Sequence, residues 1–82
     1  MQNYYARLEG LRERLVATGH GHWAIELLNA ERAASTSGEA LSNTGVVLKR
    51  LLDSTDSYVS DFRNEAQSIY DEGGAIWDGM NK

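Results

Sequence analysis

Residues 35–52, STSGEALSNTGVVLKRLL, carry the clearest structural signal in this chain. Thr36, followed three residues later by Glu39, fits a capping box, in which two side chains satisfy free amide groups at the start of a helix. Leucines then recur at helical spacing. The segment therefore predicts a helix over about residues 37–52 with one apolar face. That face carries Leu41, Leu48, Leu51 and Leu52.

Gly45 is the weak point of this predicted helix. A glycine in the interior of a helix costs about 1 kcal/mol relative to alanine. We therefore expect Gly45 either to permit close contact with another helix, which is the interpretation we favour, or to mark a break in the helix.

Two further helices are predicted on the N-terminal side, over about residues 2–17 and 21–34. Gly19 lies just past the first of them, where a glycine can adopt the left-handed conformation of a helix C-cap. The short link from Thr18 to Gly21 allows either an antiparallel hairpin or a steeper corner. The inward residues of the two helices are Tyr4, Leu8, Leu11, Leu15, Trp23 and Leu27.

A fourth helix is predicted over about residues 56–72, where Tyr58, Phe62 and Ile69 resume helical spacing. We expect Gly73 and Gly74 to end it and residues 73–82 to form a short turn or tail. The sequence leaves open whether the third and fourth helices are separate or form one kinked rod. It also leaves open whether Trp77 packs on the core or is an exposed anchor.

These elements predict an all-α single domain over residues 1–82, a small bundle of three to four helices with a short C-terminal turn or tail. The 82 residues include no proline and no cysteine, so disulfides and thiolate metal sites are excluded. No apolar run approaches the roughly 20 residues that a membrane span needs, and the start lacks the pattern of a secretory signal. We therefore expect a cytoplasmic protein without membrane partners.

The formal net charge of −4 is unevenly distributed along the chain. Before Asp53 bases and acids nearly balance, whereas seven acids face two bases from Asp53 onward. Because nucleic-acid binding needs a basic stripe, we expect no nucleic-acid partner. A solvated acidic face is the ordinary interpretation, and a surface for a protein partner is the functional one. The candidate interaction residues are Asp61, Glu65, Asp71, Glu72 and Trp77.

Few residues could carry chemistry. His20, His22 and Glu26 are the one cluster of metal-ligand types, but a site would need a further ligand, so we interpret them as a polar helix start. The chain shows no catalytic triad, calcium loop or phosphate loop, and a bundle this small rarely encloses a large cleft. We therefore expect no metal, no cofactor, no catalytic residues and no enzymatic activity.

Residues 11–27, LRERLVATGHGHWAIEL, resemble the opening of small bacterial all-helical proteins of unknown function, some of which are similar to immunity proteins of toxin systems. The resemblance extends over about residues 8–50. It implies a bacterial origin, an all-helical fold and, for the immunity-like members, a toxin as protein partner.

Together these patterns favour a non-catalytic protein–protein interaction module, either toxin-neutralising or regulatory, that binds through its acidic C-terminal face. The alternative is a structural domain that associates with itself, for example as a homodimer. A small-ligand-binding protein or an enzyme is the interpretation with least support.

Overall fold

The computed structural model describes residues 2–80, and helices account for nearly all of them. Their all-α arrangement confirms the fold class expected from the sequence. The four α-helices and the one short 3-10 helix are α1 (Gln2–Ala17), α2 (Gly21–Arg32), α3 (Ser37–Asp53), the 3-10 helix Ser57–Asp61, and α4 (Arg63–Met80).

The C-terminus of α1 is capped at Gly19, as the sequence predicts. Gly19 has a φ of +85°, a left-handed conformation that only glycine adopts without strain. The amide of His20 donates to the carbonyl of Leu15 at 2.7 Å, and the amide of Gly19 donates to that of Val16 at 3.1 Å. This pair of bonds is a Schellman motif, and it turns the chain into α2 within three residues.

The capping box at the start of α3 is also confirmed. The amide of Glu39 donates to Oγ1 of Thr36 at 3.1 Å. The carboxylate of Glu39 accepts in return from the amide of Ser35 at 3.2 Å, one residue earlier than the usual reciprocal bond. Local chemistry therefore accounts for the position of this helix start.

The four helices pack as a ring in which α1 contacts α2, α2 contacts α3, α3 contacts α4, and α4 closes on α1. Amphipathic faces of all four meet in one core, which supplies most of the stability of a bundle this short. None of the helices in residues 2–80 combines the length and apolarity needed to cross a membrane. The largest fully buried apolar side chains are Tyr4, Phe62, Leu8, Leu11, Leu15, Leu27, Leu48, Leu51, Ile69 and Val59.

The predicted start of the fourth helix at residue 56 is wrong. Ser54 and Asp56 are extended, with ψ of 141° and 136°, so α3 and α4 are separate helices. The 3-10 helix that follows places Val59 at 0% exposure, and Phe62, the residue just after it, is 2% exposed. This tighter turn lets both side chains enter the core while the chain reverses direction.

The predicted end of that helix near Glu72, and the tail after it, are also wrong. The α4 helix continues through Gly73 and Gly74 to Met80, and the last two residues of the predicted tail lie outside the described residues. The reason for a glycine at this helical position is tertiary: a Cβ placed on Gly73 would lie 2.9 Å from Cε2 of Tyr4. Gly73 therefore serves close packing within the helix, where sequence alone suggested a stop.

Neither interpretation of Gly45 is correct. The α3 helix runs through it without a break, and within residues 2–80 no neighbouring atom lies within 4 Å of a Cβ built there. The space beside Gly45 is instead part of an open groove.

Candidate interaction surface

Two of the five candidate interaction residues are held by α1. The guanidinium of Arg7 forms an ion pair with Glu72 (Nη1 to Oε1, 3.3 Å), and its Nη2 donates to Oγ of Ser68 at 2.6 Å. Arg14, two helical turns after Arg7, forms an ion pair with Glu65. These contacts run antiparallel along α1 and α4, so both carboxylates are partly neutralised within the protein.

The other two candidate carboxylates are exposed and lie apart from each other along the chain. Asp61 ends the 3-10 helix, and its backbone carbonyl accepts from Nη2 of Arg14 at 3.5 Å. Asp71 accepts from Nε2 of Gln67 at 2.9 Å, one turn away on α4. The structure thus does not gather the predicted residues into one free acidic patch.

Trp77, the fifth candidate, lies on α4 and is 42% exposed. A Cβ built on Gly38 would lie 3.2 Å from its Cζ3, so one edge of the indole packs closely on the start of α3. The remaining surface of the ring borders a groove between α3 and α4. The indole is thus partly packed and partly presented to solvent.

This α3–α4 groove has a volume of about 460 Å³ and is open to solvent. Its lining is mostly apolar and aromatic and includes three charged residues. Tyr4 of α1, itself buried, forms part of the wall. The α3 side is formed by Leu41, Ser42, Gly45, Val46, Lys49 and Arg50, and the α4 side by Tyr70, Gly73, Gly74, Trp77 and Asp78.

Glycines create the space in this groove. Among the described residues, no heavy atom lies within 4 Å of a Cβ built on Gly45 of α3 or on Gly74 of α4, so side chains there would project into open space. Neighbouring positions on the same helices carry larger, exposed side chains, such as Val46 and Trp77. The surface of the groove is therefore uneven. In the sequence, the groove is indicated only by a glycine inside an amphipathic segment. Such a glycine does not show whether the surface has a hollow there or the helix breaks.

Burial and a hydrogen bond hold Tyr4 in the wall of the groove. Its hydroxyl lies 2.7 Å from Oγ1 of Thr44, which itself donates to the carbonyl of Ala40 at 2.7 Å. Since that bond uses the threonine proton, the tyrosine is the donor of the pair. Burial raises the pKa of Tyr4 above its usual value, which keeps the hydroxyl protonated.

The α1–α2 pair carries a second apolar surface, with a shallow hollow of about 480 Å³. Val16 and Ile25 are each 61% exposed there, beside Ala17 and Leu28. The exposed large apolar side chains of the described residues are Val16 and Ile25 on this surface, Val46 and Trp77 at the groove, and Met80 near Gly38.

The histidines take structural positions. The ring of His20 stacks on Tyr58 with 3.7 Å between centroids. Nε1 of Trp23 donates to the hydroxyl of Tyr58 at 2.8 Å, and His22 lies at the edge of this aromatic cluster. Glu26 accepts from Nη2 of Arg50 at 2.7 Å. Within residues 2–80 no three potential metal-ligating side chains come together. That the protein binds no metal stays a prediction.

Comparison of the chain with protein-family models, with curated proteins and with solved structures finds no match.

Proposed function

We propose that this protein is a non-catalytic protein–protein interaction module that binds its partner in the α3–α4 groove. The observation that carries the proposal is the groove itself, an open hollow of about 460 Å³ bordered by a tryptophan that is 42% exposed. Tryptophan is enriched among the residues that dominate binding energy at protein interfaces. A toxin-neutralising or regulatory subunit is the role that we propose for such a module, in line with the resemblance of residues 8–50.

The groove is a better candidate than the acidic face of α4. A partner that used Glu65 or Glu72 would have to displace Arg14 or Arg7, and exchanging one ion pair for another yields little net affinity. Asp61 and Asp71 remain accessible, and exposed charges of this kind mainly affect association rate and specificity. We therefore assign affinity to the groove and a supporting electrostatic role to the exposed carboxylates.

The test is a pull-down with tagged protein from a lysate of the native host, at low and at moderate salt, read by mass spectrometry. Val46→Gln changes the groove, and Ile25→Gln is its matched control on the α1–α2 surface. Both side chains are exposed, at 58% and 61%, so neither substitution disturbs the core. We expect one stoichiometric partner that survives moderate salt, is lost with Val46→Gln and is retained with Ile25→Gln.

Three results would contradict the proposal. Equal capture by both variants would show that the groove is not the binding surface. Loss of the partner both at moderate salt and in the double variant Asp61→Lys/Asp71→Lys would indicate that the acidic face is the binding surface. Specific stabilisation by a metal or metabolite in a thermal-shift screen would favour a small-ligand-binding protein or an enzyme.

A further inference from the structure

The α1–α2 surface has an apolar centre. Val16 of α1 and Ile25 of α2 line its hollow, and Leu28 lies half-buried beside them. At 61% each, Val16 and Ile25 are the most exposed large apolar side chains of residues 2–80. A partner that covered them would remove apolar area from water, which is the main favourable term in most protein association.

Two carboxylates border this centre on the α1 side. Glu9 and Glu13 both line the hollow, and both are exposed. Within residues 2–80 neither side chain has an ion pair or a hydrogen bond, whereas Arg12, the other charged residue of the lining, is paired with Glu31 at 3.1 Å. The hollow therefore combines an apolar centre with unpaired negative charge.

The fold gains nothing from these two charges. Glu9 and Glu13 are four residues apart on one face of α1, a spacing at which like charges destabilise a helix. The arginines near them in the sequence, Arg12 and Arg14, are used in ion pairs with α2 and α4. A basic group from outside the chain would offset the repulsion between the two carboxylates.

The shape of the hollow fits a helix. Gly21 lies beside Val16 and Glu31 beside Arg12, so α2 runs back along α1. An extended segment would need partners for its backbone amides and carbonyls, and the middles of two helices offer none. A helical segment satisfies those groups internally and packs between two helices through side chains alone. The α1 side of the hollow covers residues 9–17, about 12 Å, which matches about two turns of a partner helix.

We propose that the α1–α2 surface binds an amphipathic helix of another protein, with aliphatic residues on one face and two lysines or arginines one turn apart beside them. The aliphatic face covers Val16 and Ile25, and the two cations pair with Glu9 and Glu13. This surface and the α3–α4 groove lie on opposite sides of the ring of helices, so both can be occupied at once. The inference goes beyond the proposed function, because it adds a second binding surface that does not depend on the groove.

The probe is a synthetic peptide of about 14 residues, about four helical turns, made of leucine, alanine and lysine with both ends blocked. Its leucines form one helical face and its lysines flank that face. A second peptide has glutamate in place of every lysine. Isothermal titration calorimetry measures both at low and at moderate salt. We expect the lysine peptide to bind, more weakly as salt rises, and the glutamate peptide to bind at least about tenfold more weakly.

Variants of the protein locate the binding site of the lysine peptide. Ile25→Gln should raise its dissociation constant at least about tenfold, because the apolar centre is lost, whereas Val46→Gln in the groove should leave it unchanged. Glu9→Gln/Glu13→Gln should raise it about tenfold at low salt and less at moderate salt, as expected for two exposed ion pairs.

Asp61→Asn/Asp71→Asn is the matched control for net charge. It removes two negative charges from exposed positions outside the α1–α2 surface, and it should leave the affinity for the lysine peptide unchanged. Urea unfolding checks that the variants fold. Glu9→Gln/Glu13→Gln should not lower the free energy of unfolding, because the two carboxylates have no partner within the described residues.

Several results would overturn the inference. One is a lysine peptide that does not bind, or that binds no better than the glutamate peptide. Another is equal weakening by the two double variants, which would show general attraction to an acidic protein. Loss of binding in Val46→Gln in place of Ile25→Gln would move the peptide to the groove. Self-association that Ile25→Gln abolishes would make a second copy of the chain the occupant of this surface.

Discussion

Gly73 and Gly74 are adjacent in α4 but have different surroundings. A Cβ on Gly73 would meet the ring of Tyr4 at 2.9 Å, whereas a Cβ on Gly74 would meet no heavy atom of the described residues within 4 Å. Tyr4 cannot move aside easily, because it is 1% exposed and hydrogen-bonded to Thr44. Substitution of the two glycines should therefore have opposite effects on stability.

We expect Gly74→Ala to raise the free energy of unfolding by up to about 1 kcal/mol, the gain in helix propensity. Gly73→Ala should lower it by about 1 to 2 kcal/mol, because overpacking against Tyr4 outweighs the same gain. Urea unfolding followed by circular dichroism measures both. Changes of the same sign in the two variants would contradict the close contact with Tyr4.

The hydrogen bond from Tyr4 to Thr44 can be tested with Tyr4→Phe. Removing the hydroxyl should lower the free energy of unfolding by about 1 kcal/mol at neutral pH, the usual net value of such a bond. Tyr5→Phe is the control, since the hydroxyl of Tyr5 makes no hydrogen bond to another residue in the described range, and it should change stability little. A loss in Tyr5→Phe as large as in Tyr4→Phe would argue against the bond.

The same variant gives a pH dependence. Burial raises the pKa of Tyr4 in the folded protein above the ordinary value of about 10. Above pH about 10 the tyrosine hydroxyl loses its proton in the unfolded chain before it does so in the folded protein. The free energy of unfolding of the unaltered protein therefore falls as the pH rises. The phenylalanine variant lacks this loss. The stability difference between the two proteins should therefore shrink in urea unfolding above pH about 10.

At the scale of the elements, α3 and α4 have similar lengths but different support. The buried residues of α3 extend from Ala40 to Leu52, whereas the buried residues of α4 are Ala66, Ile69 and Gly73, none of them in its last seven positions. Two more glycines, Gly74 and Gly79, lie in that last part. The end of α4 is thus a helix with weak propensity and little burial.

We therefore expect amide hydrogen exchange to divide α4 into two parts. Amides of residues 74–80 should exchange through local opening, much faster than those of residues 66–73, while α3 should show protection over most of its length. Two-dimensional NMR or mass spectrometry of peptic fragments measures the difference. Uniform protection throughout α4 would contradict this division.

At the scale of the whole molecule, two ion pairs connect the first helix to the last. Arg7 with Glu72 and Arg14 with Glu65 help to close the ring of helices between α1 and α4. Residues far apart in the chain thereby become neighbours. The pairs also explain why a strongly acidic C-terminal segment does not produce an equally acidic surface.

Charge reversal tests these pairs. Glu65→Lys should lower the free energy of unfolding by about 1 kcal/mol at low salt, because Arg14 then faces a like charge, and high salt should reduce the loss. Asp71→Lys, at an exposed position outside these pairs, is the matched control and should have little effect. Thermal unfolding at two salt concentrations measures both. Equal losses in the two variants would contradict an ion-paired role for Glu65.

Much of the fold follows from local signals that the sequence displays. The Schellman motif at Gly19 and the capping box at Thr36 depend on residues within a few positions of each other, so the bounds of α1 and the start of α3 could be predicted. The periodic leucines likewise identify the buried faces, since helix geometry alone brings them together. The all-α class and the larger part of the core were therefore determined by the sequence itself.

Contacts between distant residues decided the rest. Residue 73 of α4 is a glycine because Tyr4, 69 positions earlier, occupies the space that a side chain would need. Glu65 and Glu72 are neutralised by arginines of α1, and Gly45 and Gly74 form one groove only because α3 and α4 pack side by side. A glycine has the same local preference in each of these settings. Only the tertiary structure shows whether the space beside it is filled by another residue or left open for a partner.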